Sequence, residues 1–487
     1  MNEKKLHLLT GIIAVAALLP LVLVNTESWD TVLAELGYRT QDWSAIRPWL
    51  LDLGWYGPYY LYRLFNELSL LTGIPPKVFP NALCVLSILG IAREVFRLLR
   101  ERYGAGLPAA HAGAWTVLCF PVWHIFISSA VFVNIVCLWL FLVAARLWYR
   151  SKPLAAVFFL LSVQLFSVFA FAVGFAAADF LLTVTRENFR SKVLRTVLFC
   201  AGLVVLFLVF QQVVSVHGTD GNYNTFNLEQ LGSVVQYSLT AGMLLLLTVL
   251  LAKRLRDPRE AETLIRRMAA VLTLMLFAGL AYWAVGRPLR FFAFGSFGAR
   301  HAILMCVPLG LFVGILCDFA ARRVNATVIL RSALAVCAIL LVLLYQGYDH
   351  KIAAVLYSDM LSQAFATIPP PPSGYVVVTN QGFEPPRHLH SYEVNMALYK
   401  AYGRAAWMCN GVYEKQLGTS REALQKYYKG TPQSRKLYIA GDADGEAYTR
   451  FVFQLKDFHQ EGRIWYWLYH LLGRYDAFEP RLTQESP

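Results

Sequence analysis

The apolar residues of this chain are gathered into repeated blocks of close to twenty residues, and this patterning constrains the fold more than any other feature. At 1.5 Å of rise per helical residue, about twenty residues match the ~30 Å hydrocarbon core of a bilayer. Of 487 residues, 57% are hydrophobic and only 15% charged, whereas soluble domains carry ~45–50% and ~25%. A cytosolic enzyme and a disordered chain are both excluded. The sequence reads as a polytopic membrane protein.

Hydropathy and length place about 11 transmembrane helices, at 7–24, 79–98, 113–131, 133–149, 152–170, 171–185, 195–215, 233–252, 268–285, 302–320 and 328–346. The net charge of +13 is carried by short loops between these blocks, in clusters at 93–102, 146–152, 186–195, 253–267 and 322–331. Basic residues in short loops set orientation, so the five clusters and the N-terminus are expected on the cytoplasmic side. They give no indication of nucleic acid. An odd number of crossings then puts the C-terminal tail on the periplasmic side of a bacterial inner membrane. The first block follows a basic start and ends at Leu23-Val24-Asn25-Thr26-Glu27 without a small-residue cleavage site, so it is expected to stay as the first membrane helix. Seven of the eight cysteines lie in apolar blocks and form no metal-binding spacing, which reads as small buried side chains.

The chain divides into a membrane domain at 1–346, an interfacial helix and proline-rich linker at 347–372, and a tail domain at 373–487. Within the first, an outside loop at 25–78 has an aromatic second half, Tyr56 to Leu71, read as an amphipathic helix in the membrane interface, the alternative being a distorted crossing. Pro369-Pro370-Pro371-Pro372 is a stiff spacer. Beyond it, 374–380 and 436–442 read as buried strands, and 391–404 and 420–428 as helices. An all-α membrane domain followed by a small extracytoplasmic α/β domain is therefore expected.

Chemistry on the outer side has few candidates. Glu27 and Asp30 are three residues apart, on one face if a helix continues past the first span. Carboxylates there suit deprotonation of a hydroxyl or a divalent metal such as Mg or Mn; an acidic loop that only solubilises is the plainer reading. Arg287, Arg290 and Arg300 run against the inside-positive tendency, with His301 beside the last. Guanidinium forks suit phosphate, and pairing with acidic loop residues or with lipid head groups accounts for them equally well. The loop at 217–231 is polar and rich in turn residues. Asp179 lies in an apolar block, where a charge is costly. Phosphate-binding loops, GxSxG elbows and HExxH motifs are absent from the sequence.

The order of these features resembles the GT-C superfamily of integral-membrane glycosyltransferases. The first outside loop opens with Glu27-Ser28-Trp29-Asp30-Thr31-Val32-Leu33-Ala34-Glu35-Leu36, continues through Trp55-Tyr56-Gly57-Pro58-Tyr59-Tyr60, and reaches Phe79-Pro80-Asn81. Ala299-Arg300-His301-Ala302 followed by Val307-Pro308 is similar to that family's arginine-containing entry to a late helix. Two departures stand: the acidic pair is not adjacent, and 127–134 holds no carboxylate. The resemblance implies sugar transfer from a polyprenyl-phosphate donor to a glycan, lipid or protein acceptor. Asp30 and Glu27 would be catalytic, and Arg287, Arg290, Arg300, His301, Tyr56 and Tyr59 substrate-binding. Glu27 and Asp30 would hold a metal if one is used. The alternatives are a transporter or flippase for lipid-linked sugars, for which Asp179 and Gln164 are the intramembrane candidates, and a non-catalytic envelope assembly protein.

Overall fold

Helices form where the apolar blocks predict them. The computed structural model describes residues 3–24, 31–41, 56–213, 231–253, 257–283, 297–371, 375–385, 391–403, 408–410, 448–459 and 465–485, with positions 43, 47, 50, 51, 255, 287, 289 and 463 between them. The helices are α1 (Glu3–Leu23), α2 (Val32–Thr40), α3 (Tyr56–Thr72), α4 (Val78–Glu101), α5 (Leu107–Leu118), α6 (Phe132–Leu147), α7 (Lys152–Ser162) and α8 (Ser167–Thr183). They continue with α9 (Phe189–Val213), α10 (Leu231–Lys253), α11 (Pro258–Trp283), α12 (Cys306–Ala321) and α13 (Ala326–Ala366).

Among the described residues, six helical segments are long and apolar enough to cross a membrane, or seven if the pair Leu107–Leu118 and Pro121–Ile127, bent by 42°, is one span. That marks a multi-pass membrane protein. The expected eleven crossings exceed this count partly because α7 and α8 are short: their 11 and 17 residues rise only about 16 and 26 Å.

The described residues of the basic clusters meet at one end of the bundle, where acids from neighbouring helices pair with several of them. Arg146 pairs with Glu94 at 2.7 Å, Arg267 and Arg322 with Asp318 at 3.3 Å each, and Arg322 and Arg323 with Glu260. Asp179 belongs here too, held by Arg102, Tyr149 and Lys192. It is a tie between helix ends rather than a charge at mid-bilayer.

At the opposite end α1 leaves the bundle, and Asn81 donates to the Val24 carbonyl at 3.0 Å. Both ends of α3 stay there. Its start packs on Gln164, and Phe65 stacks on Phe79 with ring centroids 5.9 Å apart.

The bundle is drawn tight where α5 crosses α12. A side chain on Gly113 would meet the Gly310 carbonyl oxygen at 2.6 Å, and one on Gly310 would meet that of Gly113 at 2.9 Å. Small residues at such a crossing let two backbones touch, which matters where lipid supplies no hydrophobic drive.

Helix α13 has 41 residues, about 60 Å at 1.5 Å each. Only its first half fits a bilayer. The expected separate interfacial helix after residue 346 is instead a continuation of the last span, because 347–366 holds no proline or glycine after Gly347 to break it. Its far half serves the tail: Phe365 lies edge-on to Phe451 at 5.5 Å, Tyr357 packs on Phe453 at 5.8 Å, and Tyr357 donates to Asn380 Oδ1 at 2.8 Å.

Among the described residues the tail sheet has four strands, β1 (Tyr375–Gln381), β2 (Met408–Asn410), β3 (Tyr448–Gln454) and β4 (Arg481–Glu485), in the order β2-β1-β3-β4. Strand β1 is parallel to β2 and β3, with Val376 opposite Cys409 and Thr449, and β4 is antiparallel to β3. Helices α14 (Ser391–Tyr402) and α15 (Tyr466–Leu472) pack on α13. The expected strand at 374–380 and helix at 391–404 match β1 and α14. Those expected at 436–442 and 420–428 lie outside the described residues.

Candidate functional site

The polar centre of the molecule lies at the tail end, around a break in the bundle. Helix α5 stops at Leu118, and Pro121, which has no N–H to donate, opens a 3-10 turn, Pro121–Ile127. A second short turn follows before α6 begins. This stretch is almost fully buried, so its irregular backbone needs partners. They come mainly from the stretch between α1 and α4. Lys77 Nζ donates to the Ile127 carbonyl at 2.7 Å, the Tyr62 hydroxyl donates to that of Ser129 at 3.2 Å, and Thr31 and Ser128 share a hydroxyl contact at 3.4 Å. The Trp123 indole donates to the Val117 carbonyl, and His124 Nδ1 meets that of Pro121, both at 2.7 Å.

A 3-10 segment, Phe297–Met305, packs against this break and brings in Arg300 and His301. The His301 ring lies 5.2 Å from that of Tyr282, and the Tyr282 hydroxyl accepts from Ser167 at 3.2 Å.

Beside the break, α2, α13, α14 and the α15 region converge in a charged cluster. Lys400 Nζ lies 3.5 Å from Glu35 Oε1 and 3.6 Å from Asp359 Oδ1, so α14 of the tail joins α2 to the long helix α13. Arg39 also grips Glu35 Oε1, at 2.9 and 3.0 Å. On its other side Asp359 Oδ2 faces His470 Nδ1 at 3.7 Å and the Tyr475 hydroxyl at 3.5 Å. Glu35 Oε2 is buried and has no hydrogen-bond partner among the described residues.

Burial dominates the electrostatics beyond the bilayer. It raises the Asp359 carboxyl above its usual range, against the pull of Lys400 and His470. Burial likewise lowers His470, against Asp359 and with help from Lys77 and Lys400. The Tyr475 phenol is pushed up by burial and then by Asp359. In this cluster the Lys400 ammonium serves two carboxylates, and one carboxylate oxygen of Glu35 has no donor among the described residues.

The residues singled out from the sequence divide sharply. Glu27, Asp30 and Arg290 lie outside the described residues. Arg300 and His301 stand at the break. Arg287 is half-buried, and its backbone N–H donates to the Tyr282 carbonyl at 2.9 Å. Tyr59 is buried in an aromatic wall against Trp43 at 6.4 Å, whereas Tyr56 is exposed at the start of α3.

The sequence does not point to the cluster residues Asp359, Lys400, His470 and Tyr475, nor to Lys77 at the break. One signal was available: Asp359 interrupts an apolar run, Val355-Leu356-Tyr357-Ser358-Asp359-Met360-Leu361. Glu35 lies within the acidic stretch at 27–36, where nothing local sets it apart from Glu27 and Asp30. Among the described residues, no three His, Cys, Asp or Glu side chains converge as metal ligands. No family model, curated protein or solved structure matches the chain.

Proposed function

We propose that the protein is an integral-membrane glycosyltransferase, moving a sugar from a polyprenyl-phosphate donor to a glycan, lipid or protein acceptor at the tail end of the bundle. The orientation that goes with this reading puts the basic end in the cytoplasm and the tail at the outer face of a bacterial inner membrane, because basic loops favour the inside.

One observation carries the reading: the half-buried Glu35 carboxylate has one oxygen fixed by Arg39 and Lys400 and the other, buried, without a partner among the described residues. Such an oxygen is placed to accept the proton of an acceptor hydroxyl. The hydroxyl oxygen then bonds to the anomeric carbon, the bond from that carbon to the donor phosphate breaks, and polyprenyl phosphate leaves with the electron pair. Charge on the leaving phosphate is met by cations, with Arg300 at the buried break and Arg287 as the candidates. Asp30 and Glu27 remain the catalytic candidates that the family resemblance implies. A divalent ion carries no part of this scheme.

The transporter alternative loses its main intramembrane candidate, since Asp179 is tied at the basic end. The test is sugar incorporation into acceptor by membranes carrying Glu35→Gln, Asp30→Asn, Glu27→Gln or Arg300→Ala at matched abundance. Loss of a general base costs ~100- to 10,000-fold in rate, whereas Arg300→Ala should weaken donor binding. Wild-type transfer by Glu35→Gln removes Glu35 from the scheme. Wild-type transfer by all three carboxylate variants, singly and combined, refutes the transferase reading.

A further inference from the structure

At the basic end, α6, α7, α8 and α9 enclose a cavity of about 750 Å³, within the ~300–1,000 Å³ usual for ligand pockets. Its body is apolar, walled by Phe141, Phe159, Phe175, Leu203, Leu206 and Leu274. Gly202 of α9 also lines it, and a side chain at that position would meet no atom within 4 Å. The slot therefore runs open along α9.

Its mouth is charged differently. Four cations line it, Arg102, Lys152, Lys192 and Arg195, against one carboxylate, Asp179. Asp179 is already engaged by Arg102 and by the Tyr149 hydroxyl at 2.7 Å, with Lys192 at 3.9 Å. Lys152 lies over the Trp148 ring at 5.9 Å, and Arg195 makes no ion pair among the described residues. Nearly three positive charges thus face the mouth of a hydrocarbon-lined slot at the edge of the bilayer. The complement of that arrangement is one molecule with an apolar chain and a phosphate head.

We propose that this groove binds an anionic phospholipid of the leaflet at the basic end, with an acyl chain in the phenylalanine-lined slot and its phosphate among Lys152, Lys192 and Arg195. Free phosphate lacks the chain. A zwitterionic lipid carries a cationic group that faces the same cations unfavourably. The site lies at the other end of the bundle from the charged cluster and stands independently of sugar transfer.

Full-length protein in detergent is titrated with phosphatidylglycerol, phosphatidylcholine and inorganic phosphate, and bound lipid is counted by native mass spectrometry. Phosphatidylglycerol should bind several-fold more tightly than phosphatidylcholine, and phosphate at the same concentration should not compete. At about fivefold per cation, joint Lys152→Gln and Arg195→Gln substitution should weaken phosphatidylglycerol by about 25-fold and leave phosphatidylcholine unchanged. Neither side chain holds a buried carboxylate, so the melting temperature without lipid should stay at the wild-type value. Gly202→Phe keeps every charge but fills the slot, and should weaken both lipids. Equal affinity of the wild-type protein for the two lipids, or displacement by phosphate alone, overturns the proposal whether or not the variants fold. Unchanged phosphatidylglycerol binding by Gly202→Phe also overturns it.

Discussion

Adding one methyl group at Gly113 or Gly310 should loosen the membrane domain, and the size of the effect follows from the α5–α12 crossing. The new carbon at Gly113 would lie 2.6 Å from a backbone oxygen, and that at Gly310 would lie 2.9 Å from one. Ordinary contact begins near 3.4 Å, so the helices must part by roughly 0.5–0.8 Å. A gap of 0.5–1 Å already forfeits a quarter to a half of each dispersion contact along the seam. Backbone cannot swing aside as a side chain does, which places the cost at the upper end of the ~1–3 kcal/mol typical of overpacking. Gly11→Ala supplies the opposite sign. A side chain there meets nothing within 4 Å, and replacing a mid-helix glycine by alanine stabilises by ~0.5–1 kcal/mol. The assay is thermal unfolding in one detergent, followed by tryptophan fluorescence. Gly113→Ala and Gly310→Ala should melt several degrees lower, by about 2–4 °C per kcal/mol, while Gly11→Ala melts at or above wild type. Wild-type melting of both seam variants would refute the close-approach argument.

Other perturbations reach the tail and its cluster. A tail fragment beginning at Ser373 should fail to melt cooperatively, while one beginning at Gly347 should succeed. The difference is Tyr357, Leu361 and Phe365, each worth ~1.5–3 kcal/mol of burial against a total stability of ~5–15 kcal/mol. Cooperative melting of the shorter fragment would show the helix dispensable. His470 is lowered by burial, so the folded state binds fewer protons than the unfolded chain below the usual value of about 6.5. Its contribution should be full above that pH and lost as pH falls. Asp359, raised by burial, acts in the opposite sense, so the readout is the wild-type melting temperature minus that of His470→Gln, which should shrink from pH 7.5 to 5.5; a constant difference refutes it. Lys400→Met should leave Glu35 and Asp359 facing each other's field without the shared ammonium, loosening the tail and speeding proteolysis between β1 and β2; unchanged cleavage would assign Lys400 no docking role. Cysteine probes in intact cells, with native cysteines removed, should label Asp476→Cys from outside but not Asp257→Cys, and the reverse pattern inverts the orientation.

The membrane domain was legible because its code is coarse. A bilayer demands long apolar helices, and the expected spans at 7–185 and 195–346 have helices at or near their places, except that the one at 113–131 is broken: α5 ends at Leu118 and 3-10 turns take its second half. What hydropathy could not resolve was continuity: α13 passes from lipid into the tail core without a change in backbone, because its second half buries Leu356, Leu361 and Phe365 against protein instead of lipid. The tail was harder to read. Strand β3 carries clear signals in Phe451, Val452 and Phe453, but β4, Arg481–Glu485, is an edge strand among the described residues and buries Leu482 while Arg481, Thr483 and Gln484 are exposed. The cluster was least legible of all, since Glu35, Asp359, Lys400 and His470 are spread over more than four hundred residues and meet only in three dimensions. Periodicity reports which face of a helix is apolar; it carries no information about which distant side chains will share a proton or a charge.

The unbroken passage of α13 from bilayer to tail also fixes an order of events during synthesis. When α13 has been threaded through the membrane, Tyr357, Leu361 and Phe365 already stand in water, because the strands that cover them have yet to be made. Phe451, the ring that packs on Phe365, follows roughly ninety residues later in the chain. At ~5–20 residues per second, that leaves an oily stalk bare for about 4–18 s on every nascent molecule. A transient partner such as a chaperone on the tail side, or the lipid surface itself, is the natural cover for that interval. Mutations that slow closure of the sheet should therefore be felt first as aggregation of new protein, with molecules already folded remaining sound.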